Sequence, residues 1–131
     1  MLTRREHSRT ELYQKLARII NAPDVIDGVL NRLEKAGLVS DERFTESFIR
    51  LHLGRGHGPA RIRQGLKQKG IDEAVILRAL EEANPDWFEL AQSARIKKFG
   101  EASPNDPKEK ARQIRFLQYR GFSLQVIMAL F

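Results

Sequence analysis

Apolar residues recur along the chain at three- and four-residue spacings, and no stretch alternates apolar and polar positions for long enough to make a strand. That pattern predicts an all-α protein, and eight helices can be placed from their punctuation. Ser8-Arg9-Thr10-Glu11 reads as a capping box, with Leu12, Leu16 and Ile19 following on one face. A second helix is expected from about Pro23, with Val25, Ile26, Val29, Leu30 and Leu33 inside and Gly37 past its end. Ser40 caps a third, carrying Phe44, Phe48, Ile49 and Leu51. Gly58-Pro59 opens the fourth, with proline at the first helical position, and Gly70 closes it. The fifth runs from about Asp72, with Val75, Ile76, Ala79 and Leu80 inward. Asn84-Pro85 opens the sixth, which holds Trp87, Phe88, Leu90 and Ala91 and stops at Gly100. Beyond the linker "EASPND", Asp106-Pro107-Lys108-Glu109 reads as a second capping box, opening a seventh helix that stops at Gly121. The eighth starts at Ser123 and runs to Phe131.

A weak internal repeat underlies this series. "LKQKGIDEAVI" (Leu66 to Ile76) lines up with "LQYRGFSLQVI" (Leu117 to Ile127), and Leu16 holds the corresponding place in the first segment. The chain therefore reads as tandem three-helix repeats, about three of them with the last incomplete. Their expected bounds are 1–54, 55–100 and 101–131. A unit of this size cannot bury its apolar face alone, so neighbours must stack, and serial stacking implies an elongated molecule.

Composition narrows the partner. The chain has 131 residues, 41% hydrophobic, which suits a folded core. Its net charge is +6, which favours an anionic partner: nucleic acid or an acidic protein surface. There is no cysteine, which removes disulfides, thiolate zinc sites and cysteine nucleophiles and fits the cytosol. "MLTRREHSRTEL" is too charged for a signal peptide. No apolar run approaches the ~20 residues needed to span a bilayer, so no membrane role is expected.

The cations concentrate in "RGHGPARIRQGLKQKGI", Arg55 to Ile71, which holds Arg55, Arg61, Arg63, Lys67 and Lys69 and no acid. Turned at 100° per residue, Pro59, Ile62 and Leu66 face inward with Gly65 beside them. Arg63 and Lys67 stand on one flank, Arg61 on the other. A phosphate-binding loop of the nucleotide-hydrolase kind is excluded: no strand precedes it and no Gly-Lys-Ser/Thr ends it. Two readings stay open. The stretch is a solvated basic flank, or it is a contact surface in which the free N–H groups at the helix start assist Arg55, His57, Arg61, Arg63 and Lys67 in holding an anion. On the seventh helix, Ala111, Ile114 and Leu117 face inward. Arg112, Arg115, Phe116 and Tyr119 gather opposite, an arginine–aromatic mixture suited to stacking or to a protein partner. Phe116 could equally pack against a neighbouring repeat. Lys97 and Lys98 take no partner role in this reading. His52 and His57 straddle a glycine-rich turn without a third ligand in reach, so no metal is expected there. No nucleophile, base and orienter can be assembled, so neither catalytic residues nor a cofactor are expected.

"REHSRTELYQKL", "GLVSDERFTESFIR", "RGHGPARIRQGLKQKGI" and "IRFLQYRGFS" resemble, in this order, segments of the RecX family, the regulators of the RecA recombinase. The resemblance covers most of the chain. It implies three tandem three-helix repeats, no enzymatic activity, and binding in the groove of a RecA–DNA filament. Such binding would limit ATP hydrolysis, strand exchange and filament growth, in the setting of DNA repair, recombination and the SOS response. Single- or double-stranded DNA is a further implied partner, since some members bind it, and the alternative function is a protein that coats DNA directly. A monomer in the cytoplasm is expected. The chain departs from the family at "ARIINAP", where relatives usually have a short lysine-glycine helix end.

Overall fold

In the computed structural model, which describes residues 5–131, the punctuation becomes helix boundaries. Eight helices and no strand lie among the described residues. They are α1 (Arg9–Ala17), α2 (Pro23–Lys35), α3 (Asp41–Gly54), α4 (Pro59–Gln68), α5 (Glu73–Ala83), α6 (Trp87–Phe99), α7 (Pro107–Tyr119) and α8 (Leu124–Met128). The head of the charged N-terminal segment, residues 1–4, lies outside the described residues. The chain forms two compact units, each built from two segments. One comprises Met1–Phe48 with Gly65–Glu82, the other Ile49–Gln64 with Ala83–Phe131.

In the first unit the capping box of α1 is complete: Ser8 Oγ accepts from the Glu11 amide, and the Glu11 carboxylate accepts from the Ser8 amide. The same carboxylate receives Arg5 and, at 3.1 Å, Lys69 Nζ. Leu12, Ile26, Leu30 and Val39 form the core, with Tyr13, Leu16, Ile20 and Leu33 packed against it. Two expected inward residues are not inward. Ile19 is 82% exposed, because α1 ends at Ala17 and the chain turns so that Ile20 packs instead. Val25 is also exposed. Ile26, Leu30 and Leu33 define the buried stripe of α2 at i, i+4 and i+7, and Val25 falls outside it. The expected close approach at Gly65 is filled by the Phe48 ring, whose Cζ lies 2.7 Å from where a Cβ would stand.

In the second unit, Ala91, Ala94, Leu117, Phe122 and Ile127 form the core, flanked by Trp87, Leu90, Ile114 and Phe116. The sixth helix starts at Trp87 rather than at Asn84-Pro85, because Asp86 supplies the cap by accepting from the Glu89 amide. Asp106 caps α7 through the Glu109 amide at 2.7 Å. Glu109 does not complete that second box, since its carboxylate is taken by Arg112 and Gln113.

The internal repeat is legible position by position. Leu66 and Leu117 are both 0% exposed, as are Ile76 and Ile127. Gly70 and Gly121 both have positive φ, 79° and 97°. After each glycine the next amide reaches back five residues: Ile71 to the Leu66 carbonyl and Phe122 to the Leu117 carbonyl. This is the αL helix ending that satisfies orphan carbonyls and turns an apolar residue back onto the helix.

Candidate partner-binding surface

The turn Arg55–Gly58 enters α4 in a fixed geometry. Gly56 takes φ 76°, and the Gly58 amide donates to the Arg120 carbonyl at 2.7 Å. The Ala60 amide donates to the Gly121 carbonyl at 3.1 Å. The carboxyl end of α7 thus occupies the amino end of α4, carbonyls meeting N–H groups. This corrects the expectation of free amides there: the helix start is already capped and is not open to an anion.

His57 is buried at 7% exposure, and its Nδ1 lies 2.8 Å from Nδ1 of His52. Burial, the Arg61 guanidinium, His52, Arg120 and Arg55 push its pKa down to about 4. Both imidazoles are therefore neutral near pH 7, one nitrogen donating and the other accepting. His57 is thus buried within the Arg55–Gly58 turn, not presented on the surface as a contact residue. Among the described residues no group of three or more His, Cys, Asp or Glu side chains could hold a metal ion, and no helix is long and apolar enough to cross a membrane.

The two stretches singled out in the sequence are brought together in part. The Arg61 guanidinium lies over the Tyr119 ring, 5.2 Å from its centroid, and Tyr119 is 74% exposed. Arg55 is exposed, and its carbonyl accepts from Arg120 at 2.8 Å. Phe116 is half-buried against the core and meets Phe99 edge to face, centroids 5.2 Å apart. Arg112 is held by both Glu109 oxygens and lies 4.8 Å over the Phe99 ring. Arg115 is exposed and Arg63 half-buried. Lys67 belongs to the first unit, where it pairs with Glu73 at 3.0 Å.

Three cations gain a place that the sequence did not give them. Lys97, Lys98 and Arg120 join Arg55 around a cleft of about 350 Å³ in the second unit. In sequence Lys97-Lys98 reads only as the favourable basic end of a helix. The available signal was the coincidence of that pair with Arg120, which ends the next helix.

Residues 1–33, 40–80 and 85–131 match, in order, the first, second and third three-helix domains of RecX. The chain is 44% identical over 129 residues to the Regulatory protein RecX of Halorhodospira halophila (strain DSM 244 / SL1), covering 98% of this chain and 80% of that one. It is 46% identical over 128 residues to the Regulatory protein RecX of Pseudomonas entomophila (strain L48), covering 97% and 82%. A solved structure described as the crystal structure of regulatory protein RecX superposes with a TM-score of 0.82 at 27% identity. The match covers 95% of this chain and 63% of that one.

Proposed function

The chain belongs to the RecX family, and from that premise we propose that it regulates the RecA recombinase, binding the RecA–DNA filament and limiting its ATP hydrolysis, strand exchange and growth. It works as an interaction protein without chemistry of its own. The observation that carries the reading is the Arg61–Tyr119 pair. A half-buried arginine and an exposed tyrosine from distant helices meet as a cation–aromatic couple, and arginine and tyrosine are among the side chains enriched at protein interfaces. Arg61, already partly desolvated over the ring, loses less hydration on meeting an anionic or polar partner than a fully exposed arginine would.

The test is the DNA-dependent ATPase of RecA at rising concentrations of this chain, with binding to RecA-coated and to bare DNA compared at equal salt. Inhibition that saturates, with preference for the coated DNA, is expected. An unaffected ATPase overturns the reading. Equal binding to bare DNA favours direct coating of nucleic acid, for which the net charge of +6 is the supporting observation.

A further inference from the structure

The cleft of the second unit has walls of one charge sign and an apolar floor. Arg55, Lys97, Lys98 and Arg120 stand around it, and among the described residues no carboxylate lines it. Arg120 is held in place twice, by its hydrogen bond to the Arg55 carbonyl and by its position 4.9 Å over the Phe116 ring. Gly56, at φ 76°, turns the backbone along one side, in contact range of the Arg120 guanidinium and Ala94. Leu53, Leu90 and Ala94, less exposed than Arg55, Lys97 and Lys98, supply the apolar floor.

We propose that this cleft seats an acidic, aliphatic peptide segment of a protein partner, its carboxylates on the four cations and an aliphatic side chain on the floor. The charges select an anion, and a volume of about 350 Å³ admits two or three side chains. The floor separates a peptide from a nucleic acid strand. A strand would seek an open aromatic face for a base, yet Phe116, the aromatic residue of the lining, already carries Arg120 and Lys98 over its ring and meets Phe99 in a T-shaped contact. A phosphodiester also has no use for Leu53 and Leu90, whereas a leucine beside a glutamate uses both features. The inference deepens the reading of the chain as a protein-binding regulator and rests on it for the source of the segment.

The probe is a fluorescein-labelled decapeptide of alternating Glu and Leu, titrated into the full chain and followed by anisotropy. Amide shifts of Gly54 and Gly56, both in the cleft lining, locate the binding. Lys97→Glu with Lys98→Glu should weaken it at least ~10-fold, since reversed charges repel the carboxylates. Arg32→Glu with Lys35→Glu is the control, equal in charge change and likewise in the last turn of a helix, and it should leave binding within ~2-fold. Ser93→Trp fills the cleft without changing charge and should also abolish binding. A Glu–Ser decapeptide should bind at least ~10-fold more weakly for want of apolar contact. The proposal is overturned if the two double mutants behave alike, if Ser93→Trp binds normally, or if the Glu–Ser peptide binds as well. It is equally overturned if a ten-nucleotide oligothymidylate binds more tightly and moves the same two amides. RecA is absent from this assay. Intact peptide binding with no ATPase inhibition therefore refutes the filament reading alone, and the reverse result refutes the cleft alone.

Discussion

The Gly58 amide donates to the Arg120 carbonyl, and a Cβ on Gly58 would stand 2.5 Å from the backbone carbonyl group of Gly121. Two helix ends distant in sequence meet here backbone to backbone. A methyl group has no flexible neighbour to displace, because the obstruction is peptide. Gly58→Ala should therefore destabilise by about 3 kcal/mol or more, at the upper end of overpacking effects. Urea denaturation measures it. A midpoint unchanged from the parent would mean the α4–α7 junction opens without cost.

Leu66 is fully buried and Gly70, at φ 79°, ends its helix with Thr10 where a Cβ would lie. Leu66→Ala should cost roughly 2–5 kcal/mol through lost transfer energy and a cavity. Gly70→Val should cost at least as much, because a β-branched residue resists positive φ and must also displace Thr10. Thermal unfolding of both variants checks this, and wild-type melting in either would contradict the packing of the first unit.

Stability should fall as the solution is acidified from pH 6.5 towards 4. The His57 pKa drops from 6.5 to about 4 on folding, mainly through burial, and those of His52 and His7 are lowered too. Between these values the unfolded chain binds more protons, so unfolding is favoured as pH falls. In Glu11 burial pushes the pKa up, but bonds from Arg5, the Ser8 amide and Lys69 outweigh it. The net lowering from 4.5 carries the same trend to lower pH, through the range in which carboxylates protonate. Asp41, raised by burial, opposes it. Unfolding free energies at pH 7.5 and 4.5 should differ by roughly 1–3 kcal/mol, with a shallower slope in His57→Gln. An equal slope in that variant would exclude His57 as the source.

Arg61→Glu with Tyr119→Ala should raise the concentration needed for half-inhibition of the RecA ATPase by at least ~10-fold, since a reversed charge at an interface costs several kcal/mol. Circular dichroism should match the parent, because Tyr119 is exposed and the Arg61–Tyr119 contact is a surface one. Arg32→Glu with Lys35→Glu serves again as the control. Inhibition equal to the parent would reduce this pair to a solvated flank.

Helix ends were legible because their chemistry is local. Ser8, Asp106 and Ser123 each cap through an amide three residues on, and Gly70 and Gly121 close helices through bonds spanning five residues or fewer. The repeat carried the core positions with it, since Leu66, Ile76, Leu117 and Ile127 fall at equal offsets from those glycines. Where periodicity ran past a helix end, as at Ile19, or met the edge of a stripe, as at Val25, the same reasoning overreached.

An all-helical chain with its caps and stops is written in local pattern, because each of those features is satisfied within a few residues. Where the basic residues gather depends on how distant segments pack. The α4 start, open by sequence, is closed by carbonyls of α7; Lys97 and Lys98, a plain helix end by sequence, stand with Arg55 and Arg120 around one cleft. Those relationships join residues far apart along the chain. A charge carries no pattern in its neighbours that says which distant backbone will come to lie beside it.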